Sequence, residues 1–401
     1  MQKKLMAVAV AGALAVPAVA FAAASSVQIS GRVTYEYGYS SQTDARQSAD
    51  IGDNPGGSNI KFKGTENLGG GLSAWFQCET STDIRALDRA HFCSRNSAIG
   101  LKGAFGNIHA GKWDTPYKKA INAGIVGAEA TGLLGMSWLR TGGSGGAQAQ
   151  DFAGTGTQGG QRRNRWSRRE SNLIMYESPK FTGAQVLAAF STGNAGTAAT
   201  NAANNAKPRV ISFGLTYDNG PLEAGLAYEK HQDFGAFTDP QDFDDHSWGL
   251  GVSYAFGKFQ VGGFFRKDTY ETGVGAETKK KTYGIGADWR LPGPHMLSAQ
   301  YVKADDSDGN GGSIGGLAGI VGCATAETGG TAVAPNCSGT GADAWSLGYT
   351  YRFSKRTTVR LGYVRQNPDH NNNRLRVGNI GGGLRPGEST SAYAMLWKHN
   401  Y

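Results

Sequence analysis

The chain has 401 residues, a formal net charge of +8 at pH 7, and 61 glycines against 12 prolines. At a mean hydropathy of −0.39, nothing beyond its amino-terminal segment approaches the roughly 20 apolar residues that a membrane helix needs. The positive residues lie in separate segments and one loop, not along a continuous basic helix, which argues against a nucleic-acid partner.

At the amino terminus Lys3 and Lys4 precede an apolar run from Leu5 to Ala20, and Ala20-Phe21-Ala22 supplies small residues around a cleavage point. This is the pattern of a secretory signal peptide over residues 1–22. Pro17 interrupts the run and no stop-transfer charges follow, so a retained helix is the weaker reading. Residues 23–401 then form one mature domain with a charge of about +6.

From Val27 to Ser40 the side chains alternate. Val27, Ile29, Val33, Tyr35, Tyr37 and Tyr39 share one parity, and Gln28, Ser30, Arg32, Thr34, Glu36 and Ser40 the other. A two-residue period predicts a strand. The pattern recurs at Ile211 to Tyr217, Leu222 to Tyr228, Trp248 to Phe256, Tyr283 to Trp289 and Trp345 to Phe353. In every case the second face is polar or small, which suits water there better than a sandwich core.

The connections alternate in size. Short ones lie at 67–71, 103–107, 178–183, 218–221, 255–258, 291–294 and 354–356, with long glycine-rich ones between them. Together these features predict an all-β, antiparallel, up-and-down transmembrane barrel of about 16 strands enclosing a water-filled channel. Hydropathy does not oppose this, because a barrel strand shows lipid only every second side chain. The last segment, Ala392 to Tyr401, puts Tyr393, Met395, Trp397, His399 and Tyr401 on one face and is expected to be a lipid-facing assembly strand.

Four cysteines fall as two close pairs, Cys78 with Cys93 and Cys323 with Cys337. Without Cys-x-x-Cys or paired histidines, they are read as two local disulfides formed in an oxidising compartment, each tying down a long connection. The third long connection, 113–170, is too long for an idle loop. Its first half, Ala120 to Leu139, is small and apolar, so it is expected to fold inward and narrow the bore.

An ion in a narrow wet tube loses hydration, and fixed wall charges offset or increase that cost. By parity the lumenal face carries Arg32, Glu36, Lys61 and Lys63, with Glu79 following. Lys112 and Asp114 sit where the third connection begins. The run Arg162-Arg163-Asn-Arg165-Trp-Ser-Arg168-Arg169 ends it with five arginines, each a fixed fork for carboxylate or phosphate. The same run would also suit lipopolysaccharide phosphates at the rim. Only Asp114, Glu129 and Asp151 oppose the arginines before Arg162, so a modest anion preference is expected.

Particular stretches resemble a known family. Phe62-Lys-Gly-Thr-Glu-Asn-Leu-Gly-Gly-Gly-Leu72, with Ala74 and Phe76-Gln77, is similar to the second hairpin of the trimeric outer-membrane porins of betaproteobacteria. Arg95-Asn-Ser-Ala-Ile-Gly-Leu101 and Gly111-Lys-Trp-Asp-Thr-Pro-Tyr117 resemble the approach to that family's constricting third loop. Asn172 to Pro179 resembles the strand leaving that loop, and Gly348-Tyr-Thr-Tyr with Ser354-Lys-Arg-Thr357 resembles the penultimate hairpin. The resemblance implies a homotrimer and adds Arg95 to the constriction. The chain departs from the pattern at Asn59, where an arginine is frequent, at Asn67, at Cys78, and at Tyr401, where phenylalanine is usual.

The expected function is passive diffusion of small hydrophilic solutes, chiefly anions, across a cell outer membrane. The expected partners are a second and third copy of the chain, lipopolysaccharide and outer-membrane lipid, the barrel-assembly machinery and the permeating anions, with no cofactor. A substrate-selective channel for organic acids or phosphate is the alternative, and a barrel-anchored adhesin or structural protein the reading from another class. Asp245-His246-Ser247 is no catalytic triad, because neighbours on an extended chain point apart.

Overall fold

The structure, a computed structural model, describes residues 26–42, 47–52, 57–82, 92–127, 134, 166, 168–192, 209–232, 244–311, 337–370 and 387–401. The amino-terminal segment, Cys323, Glu129, Asp151, Arg162, Arg163 and Arg165 lie outside the described residues.

The strands are β1 (Ser26–Gln42), β2 (Gln47–Gly52), β3 (Asn59–Gly69), β4 (Leu72–Ser81), β5 (Ser97–Gly103), β6 (Gly106–Asp114), β7 (Arg169–Glu177), β8 (Ala184–Ser191) and β9 (Arg209–Asn219). They continue as β10 (Leu222–Gln232), β11 (Asp245–Phe256), β12 (Phe259–Gly273), β13 (Ala276–Arg290), β14 (His295–Ala304), β15 (Asp308–Gly309), β16 (Ala342–Arg352), β17 (Thr357–Pro368) and β18 (Thr390–Asn400). One short helix, Pro116–Asn122, lies between β6 and β7. Strand β2 folds back on the upper half of β1, and β15 only adds to the edge of β13. The other sixteen strands pair antiparallel with their sequence neighbours, among the described residues, to make the wall.

Among the described residues the sixteen-stranded wall has no free edge. Strands β1 and β18 pair from Arg32↔Asn400 through Gln42↔Thr390, which closes the cylinder. Backbone bonds between Gly31 and Tyr401 extend that seam, N to O at 3.1 Å and O to N at 3.0 Å. Closure lets such a wall stand in hydrocarbon, because an unpaired N–H or C=O there costs several kcal/mol and no water is present to satisfy it.

Side-chain alternation sets the two faces. On β11, Trp248, Leu250, Val252 and Tyr254 are exposed on the outer surface while Asp245, Ser247, Gly249, Gly251 and Ser253 are buried within. The expected outward set of the last strand, Tyr393, Met395, Trp397, His399 and Tyr401, is also exposed, and its alternate residues Ala392, Ala394 and Leu396 are buried. The hairpin β3–β4 turns through Gly69, Gly70 and Gly71, all with positive φ (85°, 57° and 78°). Side chains with a Cβ rarely adopt that backbone region, so the glycine triplet is what the turn requires.

Cys78 and Cys93 form a disulfide, with Cα atoms 4.7 Å apart and a separation of 15 positions in sequence. It ties the segment entering β5 back to β4, where the Arg95 N–H also donates to the Glu79 carbonyl. A bridge closing a loop of this length contributes about 3 kcal/mol in the chain-entropy model. Cys337 is likewise disulfide-bonded.

Leu250 sits between the outward Trp248 and Tyr254, at hydrocarbon depth in such a wall. Leu250→Arg should therefore destabilise the folded barrel by about 2–4 kcal/mol. Lys63→Gln, on the opposite face, should leave the denaturant midpoint in place. Reversible unfolding in lipid bilayers reads both.

Candidate functional site

The inward face presents the residues that could act on a solute. Arg32 and Glu36 extend inward from β1, and the Arg32 guanidinium donates to the Gly57 carbonyl. Lys61 and Lys63 share the inward parity of β3, opposite Glu79 and Gln77 of β4. The Glu79 carboxylate is held by Arg95, Nε to Oε1 at 2.6 Å. Lys61 therefore stands across from an acid already neutralised by another cation. Neither Lys61 nor Lys63 has an ion-pair partner among the described residues.

At the mouth of the third connection the charges interlock. Asp114 accepts from Lys118 Nζ at 2.7 Å, lies 3.3 Å from Arg169 Nε, and accepts from Asn96 Nδ2 at 3.0 Å. Arg168 pairs with the buried Glu170, and Lys119 with Glu177 at 3.0 Å. Burial lowers the Lys118 ammonium below its ordinary range against the opposing pull of Asp114. Lys112 is placed elsewhere: by register it pairs with Ser97 and shares the outward parity of Ile108 and Ala110. Of the arginine run, Arg168 and Arg169 belong to this cluster, and Arg162, Arg163 and Arg165 lie outside the described residues.

The described part of the third connection lies against inward-facing residues of successive strands. Thr115 caps the helix, its hydroxyl accepting from Lys118 N, and Pro116 follows at the first helical position, where its missing N–H costs nothing. Tyr117 N donates to Ser212 Oγ of β9 at 3.1 Å, and Tyr117 OH meets Ser247 Oγ of β11 at 2.6 Å. Burial raises the Tyr117 phenol well above its ordinary value, so it stays a donor. Ser247 in turn donates to Asp268, which pairs with Arg266 at 2.9 Å. Farther along, Val126 O accepts from Gln300 of β14 at 3.0 Å, Gly127 O from Arg360 of β17 at 3.2 Å, and Leu134 N donates to Glu36 of β1.

Inward glycines make this approach sterically feasible. A Cβ on Gly225 would stand 2.3 Å from Ala120 O, one on Gly249 2.2 Å from Ile121 Cδ1, and one on Gly286 1.9 Å from Val126 O. The returning limb is anchored by Trp166, fully buried, whose ring stacks on His231 at 4.2 Å and whose Nε1 donates to Tyr270 OH at 2.8 Å. His231 is fixed by Glu229 at 2.9 Å.

Parity of the first strands gave Arg32, Glu36, Lys61 and Lys63 their face, but sequence reasoning missed Lys118, Lys119, Glu177, the glycine belt and the role of Trp166. The belt had a signal: Gly225, Gly249, Gly251 and Gly286 all fall on the parity opposite the aromatic residues. The pairs Arg95–Glu79 and Lys119–Glu177 had none, because they join residues 16 and 58 positions apart, whereas Asp114–Lys118 has the i,i+4 spacing of a helix.

The chain matches a family model described as Gram-negative porin over residues 7–371. It is 27% identical over its whole length to the outer membrane porin protein 32 of Delftia acidovorans, also covered in full. Among solved structures it superposes on an anion-selective porin from Comamonas acidovorans with a TM-score of 0.68, at 21% identity, over 94% of this chain and 100% of that one. A trimer form of OmpT, an outer membrane protein of Vibrio cholerae, gives 0.59 at 13% identity, over 94% and 100%.

Gly225→Val should displace the helix from β10, lower the unfolding temperature by a few degrees and change the single-channel conductance, as overpacking of about 1–3 kcal/mol would. The outward neighbour change Ala224→Val should do neither.

Proposed function

Because the chain belongs to the Gram-negative porin family, we propose that its barrel holds open a water-filled passage across the outer membrane. Small hydrophilic solutes and ions diffuse through it with a modest preference for anions. It is a channel, not an enzyme. The observation that carries the sign of the preference is the unequal pairing of the wall charges. Glu79, Asp114, Glu170, Glu177 and Asp268 each have a cationic neighbour within ion-pair distance, while Lys61 and Lys63 have none among the described residues. A paired carboxylate exerts little net field on a passing ion, whereas an unpaired ammonium in a narrow tube attracts anions and repels cations. The Comamonas acidovorans porin of similar fold is described as anion-selective.

In this reading the third connection narrows the bore between the helix and the arc of β1, β3 and β4. The narrowed passage is lined by Arg32, Glu36, Lys61, Lys63, Arg95, Asp114, Arg168 and Arg169, with Arg162, Arg163 and Arg165 adding positive charge. The active form is a homotrimer of chains that begin at residue 23, delivered through the periplasm. Strand β18, with Tyr393, Trp397 and Tyr401, is the segment handled by the barrel-assembly machinery.

Reversal potentials across planar bilayers in a salt gradient test the preference. Wild type should favour anions, and Lys61→Glu with Lys63→Glu should lower the anion-to-cation permeability ratio roughly severalfold. A cation-selective wild type, or a double variant that is unchanged, overturns the charge assignment, and a preparation that opens no channels overturns the reading as a whole. Unheated gel electrophoresis should show a band at three times the monomer mass that collapses on boiling.

A further inference from the structure

The inward face of a water-filled barrel is normally polar, but along the arc from β4 to β8 it is not. Trp75 of β4, His109 and Trp113 of β6, Leu173 and Met175 of β7 and Leu187 of β8 all take the inward parity. Leu173, Met175 and Leu187 are fully buried, and Trp113 packs against them. Trp113 thus has a structural task. Trp75 stands outside that cluster, and both indoles keep part of their surface uncovered.

Trp75 is held in one pose. Its Nε1 donates to Asn107 Oδ1 at 2.8 Å, Asn107 Nδ2 donates to Glu177 Oε2 at 2.8 Å, and Lys119 Nζ donates to Glu177 Oε1 at 3.0 Å. The indole lies across Gly100, where a Cβ would stand 2.7 Å from its Cε2 and Nε1. Its ring is 5.4 Å from that of His109 and 5.7 Å from that of Trp113. The direct cross-strand partners of Trp75, Thr65 and Gly100, are small.

Two lysines flank this indole diagonally. Lys63 of β3 faces Gln77, two positions beyond Trp75 on β4, and Lys102 of β5 faces Ser73, two positions before it. Diagonal neighbours on one face of a sheet lie about 7–8 Å apart, within reach of a long side chain. Both lysines are exposed, and among the described residues neither has an ion-pair partner. The one acid in the relay, Glu177, is already met by Lys119.

We propose that this sector is a transit site for aromatic carboxylates, the ring stacking on Trp75 and the carboxylate meeting Lys63 or Lys102. The inference rests on the reading that the barrel is an open, anion-preferring channel, and it names a solute class for that channel. An aliphatic anion finds only the lysines there, and a neutral aromatic only the indole. A ring pair adds modest affinity beyond the area it buries, and an indole already fixed by its hydrogen bonds has little freedom left to lose. A preference of this size suits passage, because a solute held tightly would not leave.

The test records single channels of the mature protein in planar bilayers at neutral pH. Two blockers are compared: terephthalate, and its ring-saturated counterpart hexahydroterephthalate, which carries the same charge on a non-aromatic ring. Terephthalate should block wild type at about fivefold lower concentration. W75F should keep that preference, W75L should lose it, and K63Q/K102Q should weaken block by both acids together. Equal block of wild type by the two acids overturns the proposal, a comparison that needs no variant to fold, as does a W75L channel that keeps the preference. Block by maltose, a neutral sugar, as strong as that by terephthalate also overturns it, in favour of a carbohydrate platform. Conductance and reversal potential in chloride are read on every preparation. Anion-preferring channels that treat the two acids alike sink only this inference, whereas closed or cation-preferring channels sink the function it rests on.

Discussion

The backbone of this wall has no solvent to turn to across its middle, so every strand must find its hydrogen bonds on both sides within the chain. The β1–β18 ladder, eleven residue pairs from Arg32↔Asn400 to Gln42↔Thr390, is where that requirement is finally met. Without it the first and last strands would present open rows of N–H and C=O groups to hydrocarbon. The rest of the architecture follows from the closed sheet. Its outer side chains are solvated by lipid, its inner ones by water or by the third connection, and a two-residue period keeps the two sets apart.

The third connection satisfies its own backbone differently. Its described residues borrow polar groups from inward-facing positions of the wall: Ser212 for Tyr117 N, Gln300 for Val126 O, Arg360 for Gly127 O and Glu36 for Leu134 N. Close approach requires that the wall offer no bulk there, hence glycine at 225, 249 and 286. Behind the connection, charges such as Arg266 and Asp268 are buried in pairs. Removing one partner would leave the other uncompensated, a loss far larger than the net worth of the pair.

Much of this could be read in the sequence because membrane and water enforce periodicity. Tyr35, Tyr37 and Tyr39 against Thr34, Glu36 and Ser40 suffice to orient β1, and the alternation of short and long connections gives the strand count. The Cys78–Cys93 bridge followed from proximity in the chain. The lining was harder to read. Lys112, placed in the sequence only where the third connection begins, lies two and four positions from Ala110 and Ile108, and the unbroken register with β5 keeps it on their face. The extra residue at the register shift falls on β7, between Glu170 and Leu173, and a bulge of this kind leaves no trace in composition. Trp166 stands amid arginines and reads as a solvated loop residue until the tertiary fold brings Tyr270 and His231 to its ring. Pairs such as Lys119 with Glu177 depend on the path of the connection, which no local pattern encodes.

The glycine-lined contact with the helix also makes the circumference unequal in its tolerance of change. At the inward glycines 225, 249, 262 and 286 of β10, β11, β12 and β13 a new methyl group would collide with the chain behind it, so that arc is held to a narrow repertoire by fit alone. Lys61 and Lys63 on β3 have no ion-pair partner among the described residues, so their identity is open to drift. Lineages facing different nutrients could therefore retune permeation by exchanging a few side chains on one sector, with the scaffold opposite acting as a fixed chassis.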